Sequence, residues 1–255
     1  MLRTRQFEHL THCCSLGVAA ALALAPSYAL AQACPLQGDA KQALAKELNP
    51  YKNREDAPLA SKINLNATLP AVLAPGGDLQ RWSREDGAIF EGVVINVKVG
   101  GIESVNCHAK DPAHRDTHIE LALDPSASST ERVIVEVTPR WREKMAAIAD
   151  WSTPALKKQL IGHRVRVTGW LFDDLEHERQ SENTNAGATG NWRATVWEIH
   201  PVTGIQVLPG AAVMTSASSP TPHAIAHHRA KSKRKCTRRV GHVCPKAARA
   251  KRRTG

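Results

Sequence analysis

Between residues 88 and 208 the chain keeps returning to one pattern, short runs in which apolar and polar residues alternate, and it interrupts that pattern once with a helical stretch. A period of two marks strands that bury one face. "AIFEGVVINVKVGG" (88–101) sets Val93, Ile95, Val97 and Val99 on one face. "THIELAL" (117–123) sets Thr117, Ile119, Leu121 and Leu123 inward and His118 and Glu120 outward, and "ERVIVEVTPR" (131–140) buries Val133, Val135 and Val137. The helical stretch follows, clearest in "STPALKKQLIG", where Thr153 suits the cap, Pro154 the first turn and Gly162 the end. "HRVRVTGWLF" (163–172) and "RATVWEIHPVTGIQVL" (193–208) complete the set. These five strands hold enough apolar residues for one real core and little more.

That order, with a long first strand, one helix between strands three and four and a glycine in the fourth ("RVRVTGW"), resembles the OB-fold, a small five-stranded Greek-key barrel. The resemblance covers residues 85–208, and an SH3-like small barrel is the structural rival. The phrases "NCHAKDPAHRDTHIEL", "RVIVEVTPRWR", "GHRVRVTGWL" and "NWRATVWEIHPV" are similar to those of a group of uncharacterised secreted bacterial proteins, a likeness that brings no activity with it. The fold class expected is mainly β, an OB-like barrel with a helical lead-in before it and a disordered basic tail behind.

The ends of the chain speak to compartment. Arg3 and Arg5 precede "LGVAAALALAPSYALA" (16–31), which is too short and Pro-broken to span a membrane comfortably and reads as a secretory signal peptide ending at the Ala29-x-Ala31 site. Cleavage before Cys34, as in a lipoprotein, is the rival. The leader takes Cys13 and Cys14 with it and leaves Cys34, Cys107, Cys236 and Cys244, an even number in an oxidising compartment. Three pairings are open. Cys236 with Cys244 closes the shortest loop, while Cys107 is expected to meet Cys34 if the lead-in (32–84) folds back over the first barrel loop. In that lead-in Asp39 offers a helix N-cap and Pro50 a stop. The location implied is periplasmic or secreted, with no transmembrane segment in the mature chain.

Charge divides the molecule. From Thr221 to Gly255 there are twelve Lys or Arg and no acid, whereas residues 32–220 hold 20 bases against 23 acids, net −3. "SASSPTP" (216–222), within a linker at 209–222, separates the body from the tail at 223–255. Lys231, Lys233, Arg234, Lys235, Arg238, Arg239, Lys251, Arg252 and Arg253 are the candidate polyanion contacts. Such a polycation binds anionic polymers, lipid headgroups or nucleic acid without sequence preference, and the affinity falls with salt. His227, His228, Cys236, His242 and Cys244 in the same tail match no known zinc-finger spacing.

Within the barrel, the stretch "CHAKDPAHRDTHIEL" (107–121) gathers one Cys, three His and two Asp where an OB-fold carries its first ligand-flanking loop. Strand parity points His118, Glu120, Glu136, Glu198 and His200 outward, with Asp116 just before strand two. An acidic face repels phosphates, and aromatics are only 4% of the chain, so single-strand binding by the barrel is disfavoured. The residues left for such a ligand are Arg164 and Arg166, Trp170 as an outward ring, and the His177-Glu178 pair of the loop between strands four and five (173–191). A divalent metal such as zinc is the other candidate occupant, held by some of Cys107, His108, His114, Asp116, His118 and His200, because His nitrogen, carboxylate and thiolate suit such an ion. The plain alternative is solvated surface groups and half of a disulfide. Catalysis lacks a motif: there is no nucleophile elbow, H-E-x-x-H or Cys-His-Asn signature. The expectation is an exported binding module, with a metal-dependent enzyme at the His and carboxylate pole as runner-up.

Overall fold

The computed structural model describes residues 34–210; the leader read at 1–31, most of the linker and the whole basic tail lie outside the described residues. The described chain is mainly β. β1 (Gly87–Val99), β2 (Thr117–Ala122), β3 (Val133–Val137), β4 (Arg164–Asp173) and β5 (Trp197–Val207) close a barrel in the order β1-β2-β3-β5-β4. The β3–β5 contact, Val135 beside Ile199, is parallel; the other pairs are antiparallel, and β4 returns to β1. This closed five-stranded barrel is compatible with an OB-like fold.

Inside lie Ala88, Phe90, Val94 and Val97 of β1 with Ile119, Leu121, Val133, Val135, Val137, Val165, Val167, Leu171, Trp197 and Ile199. Each such side chain taken fully from water contributes about 1.5–3 kcal/mol. β1 does not keep one parity along its length. Its register shifts between Val94 and Asn96, so the inward set passes from Phe90 and Val94 to Val97, and Ile95 and Val99 are only half-buried. A bulge inserts a residue and swaps the faces beyond it, which is why the single face expected at 93, 95, 97 and 99 does not form. Leu123 also escapes the core, because β2 ends at Ala122 and leaves that side chain 49% exposed. The glycine of the fourth strand is a close-approach position: a Cβ on Gly169 would stand 2.2 Å from the Pro201 carbonyl oxygen.

Among the described residues four α-helices accompany the barrel: α1 (Ala43–Lys52) and α2 (Leu69–Leu73) in the lead-in, α3 (Pro139–Met145) and α4 (Thr153–Leu160) between β3 and β4. The helical stretch after β3 thus holds two helices, and α4 is the one read from "STPALKKQLIG". Its cap is Ser152, whose hydroxyl accepts from the Ala155 N–H, while Thr153 turns inward to share a 2.5 Å hydrogen bond with Thr117. α1 likewise differs from expectation. Asp39 pairs with His108 instead of capping, and the helix runs through Pro50 to Lys52.

α1 buries Ala45, Leu48, Asn49 and Lys52, the i, i+3, i+4, i+7 stripe of a helix lying on a surface. Half of that stripe is polar, and what it meets explains why. Asn49 donates to Gln37 O and Ser104 Oγ, and Asn53 just beyond donates to Leu36 O and Val105 O, so the helix is fastened to the β1–β2 loop. A disulfide between Cys34 and Cys107 ties the start of the lead-in to the same loop. The face that an OB-fold usually leaves open is therefore covered by the chain's own N-terminal part.

Candidate functional site

Because Val135 and Ile199 both face the core, the residues on either side of them face out: Glu136 on β3, Glu198 and His200 on β5. His118 joins them as the cross-strand partner of Glu136. Outward does not mean solvated here. Asp116, His118, Glu136 and His200 are 2%, 7%, 4% and 1% exposed, beneath the β1–β2 loop and α1. Gly100 makes room for this packing, since a Cβ there would lie 2.8 Å from His118 Nε2.

Glu136 is the centre of the cluster. Its Oε1 is 3.0 Å from His118 Nε2 and its Oε2 3.7 Å from His200 Nδ1, and His200 Nδ1 is 3.1 Å from Glu198 Oε1. Asp116, Glu136 and His200 each bring one donor atom within 4.8 Å of the other two. Asn106 donates to Asp116 Oδ2 at 2.8 Å, and the buried Arg193 donates to Glu198 Oε2 at 2.7 Å. Five buried atoms of this cluster have no hydrogen-bond partner among the described residues: one on each of Asp116 (Oδ1), Glu136 (Oε2) and His200 (Nε2), and both ring nitrogens of His118.

The protonation states follow from this layout. Burial pushes His118 down, but the Glu136 carboxylate outweighs it and lifts the imidazole to about 9. Burial pushes Glu136 up, and the charges of His118 and His200 overcome it, holding the carboxyl well below the usual range. His200 is raised against its burial by Glu136 and by its bond to Glu198. Asp116 goes the other way: burial raises it, and the nearby His200 compensates only in part.

Above the cluster, Lys52 of α1 is 2% exposed and holds Glu103 and Glu176 at 3.3 and 3.2 Å. Burial lowers its affinity for a proton, and Asp174, Glu103, Glu136 and Glu176 more than restore it, so the pKa stands well above that of a free lysine. Asp174, itself buried, accepts from Arg193 at 3.0 Å and pairs with His177. His177 stacks edge-on against Trp192.

The residues read from the sequence thus divide. Asp116, His118 and His200 do come together, around Glu136. Cys107 is spent in the disulfide and has no thiolate to offer a metal. His108 is exposed and held by Asp39 at 2.8 Å, and His114 sits 3.4 Å from Asp111 on its own short turn. Trp170 is 7% exposed rather than an open stacking platform: the Arg54 guanidinium lies 4.4 Å over its ring, and its indole N–H donates to Asp56 O. Arg166 pairs with Glu91 at 2.6 Å, and Arg164 lies 3.9 Å from the same carboxylate, both guanidiniums remaining about half exposed. His177 serves Asp174, and Glu178 is exposed. The tail lysines and arginines, and the tail Cys and His, lie outside the described residues.

Lys52, Arg193, Asp174 and Asp78 are the residues sequence reading passed over. Lys52 is the last position of the α1 stripe, where a charged residue normally reads as the wet side of a helix. Asp78 is fully buried and accepts from the Val196 N–H at 2.9 Å, a fastening of the lead-in to β5's approach that no local pattern announces. Comparison with protein-family models, curated proteins and solved structures finds no match to this chain. Among the described residues no helix is long and apolar enough to cross a membrane.

Proposed function

We propose that the chain is an exported OB-like binding module whose basic segment at 223–255, rather than its barrel face, attaches it to anionic material: envelope polymers, lipid headgroups or, without sequence preference, nucleic acid. One observation carries this reading. The side chains that strand parity turns outward on β2, β3 and β5 are buried, with His118, Glu120, Glu136, Glu198 and His200 at 7%, 6%, 4%, 0% and 1% exposure; Glu120 is held by Lys98 and Arg132, and the others by one another and Arg193. That face presents no exposed side chain to a polymer or headgroup. The barrel's outer arginines on β4 are engaged by Glu91, and residues 32–220 carry net −3, so attraction to a polyanion falls to the twelve bases of the tail.

Two features support export. The Cys34–Cys107 disulfide belongs to an oxidising compartment, and it occupies the sulfur that a lipoprotein would lipidate, favouring cleavage near Gln32. The leader read at residues 1–31 of the sequence points to the same compartment. An enzyme at the His and carboxylate pole would need a path for substrate, and the pole is closed by residues 103–106 and α1. Replacing Lys231, Lys233, Arg234 and Lys235 by Gln is expected to weaken sedimentation with anionic lipid vesicles while leaving the melting temperature unchanged. Undiminished sedimentation would overturn the assignment.

A further inference from the structure

We propose that Asp116, Glu136 and His200 form a site for one divalent transition-metal ion of the zinc class, closed over by the lead-in. The first support is position. One donor atom from each residue falls within 4.8 Å of the others. An ion bonded at about 2.0–2.2 Å spaces its ligands roughly 3 to 4 Å apart. Small side-chain rotations therefore complete the set.

The second support is how the three side chains are held. Each has one atom engaged by a neighbour and one bare. Asn106 takes Asp116 Oδ2 and leaves Oδ1; His118 sits against Glu136 Oε1 and leaves Oε2; Glu198 faces His200 Nδ1 and leaves Nε2. Buried polar atoms without partners are uncommon, and five of the ten among the described residues fall on Asp116, His118, Glu136 and His200.

The third support is the layer behind. A metal-bound imidazole characteristically gives its other nitrogen to a carboxylate, which fixes the ring and its tautomer. Glu198 stands in that place beside His200 and is itself held by Arg193 Nη2 at 2.7 Å. Asp116 and Glu136 bring two carboxylates toward a dication, which would displace the charge that His118 now sets against Glu136. One imidazole with two carboxylates suits zinc and its neighbours better than calcium, which takes six to eight oxygens. A surface cleft lined by Gly101, Glu103, His108, Glu176 and His177 lies on the same side, and two of its acids hold Lys52.

The test uses the full chain, stripped with chelator, equilibrated with zinc and dialysed, beside Asp116→Asn, Glu136→Gln and His200→Gln. Any zinc taken by tail cysteines and histidines is common to all four proteins, so the difference isolates the site. Elemental analysis should find one ion per chain more in the wild type than in each variant, and His108→Ala should keep the full count. Equal counts in all proteins would overturn the proposal. Should a variant not fold by circular dichroism, the wild type decides alone: zinc should raise its melting temperature and move the His200 imidazole resonances. If neither moves, the three bare atoms hold water only and the metal site is refuted.

Discussion

Lys52→Met tests whether the lead-in is clamped by charge or only by apolar packing. The substitution keeps the length of the side chain and its contact with the Phe172 ring, over which Nζ lies at 5.6 Å, and removes the ammonium from Glu103 and Glu176 at 3.3 and 3.2 Å. At an effective dielectric near 20 each contact is worth about 5 kcal/mol of attraction, against which stands the cost of taking the ammonium out of water. Breaking a buried pair costs about 3–5 kcal/mol net because an uncompensated charge is left behind. The two glutamates are 25% and 34% exposed and can turn toward water, which places this case near the lower figure. Asp174 cannot turn away, since it is buried against Arg193. A loss of about 3 kcal/mol corresponds to a fall of about 6–12 °C in melting temperature for a domain of this size. Because the folded pKa of Lys52 is raised, its stabilisation is complete below the free-lysine pKa and fades only as pH rises through the folded value. The gap between wild type and variant should therefore be full at pH 7. Thermal melts at pH 7 that differ by less than about 1 °C, or a more stable variant, would refute the clamp.

Three further outcomes follow from the same structure. Replacing Cys34 and Cys107 together by Ser opens a covalent link 73 residues apart and should cost about 4 kcal/mol on loop entropy, read by urea unfolding; a wild type whose melt is indifferent to reductant would contradict it. Gly100→Ala puts a methyl 2.8 Å from His118 Nε2 and 3.1 Å from Asp116 O, so the ring must shift from Glu136 at a cost of about 1–3 kcal/mol, whereas a melt raised by the loss of glycine freedom would show that the ring yields without penalty. The Asp174–His177 pair, flanked by Lys52, Arg193 and Glu198, predicts a pH window. Asp174 is held far below the carboxylate range by Lys52, His177 and Arg193 against its burial, so its share is present above the unfolded pKa and lost in acid. His177 is raised by Asp174 against its burial, so its share is present below the unfolded pKa and lost as pH rises through the folded value. The melting difference between wild type and His177→Gln should be largest near pH 5–6 and shrink toward alkaline pH, and a difference that grows with pH would sink the reading.

How much of this was legible in sequence depends on the range of the forces involved. Strand alternation gave β2 to within a residue and the inward set of β3, since Ile119 and Leu121 on one and Val133, Val135 and Val137 on the other are buried by local parity alone, although β3 is only half as long as the stretch read at 131–140. It failed in β1, where the bulge near Ile95 swaps faces and leaves no compositional mark. Parity also named His118, Glu136, Glu198 and His200 as neighbours, but it took outward to mean wet. What covers them comes from far along the chain: Lys52 reaches Glu176, and Asn53 reaches Val105, through contacts no periodicity encodes. The pairing of Cys34 with Cys107 was expected on the condition that the lead-in folds back over the first barrel loop, which it does. Asp39 and Pro50 misled for the same reason, since a contact with His108 and the packing of α1 override local capping preference.

The claim that affinity for anionic material lies in the tail and not on the barrel is tested most directly by salt dependence. Full-length protein and a chain ending at Ser219 would be titrated with duplex DNA over a series of salt concentrations, and log K plotted against log salt. Each phosphate neutralised adds about −0.9 to the slope, so a tail with twelve bases should give a steep line, losing about 10³–10⁵ in affinity between 50 and 200 mM if six to ten contacts form. The shortened chain, net −3 over residues 32–220, should show no measurable binding. Equal slopes for the two proteins would contradict the claim and move recognition to the barrel around Arg164 and Arg166.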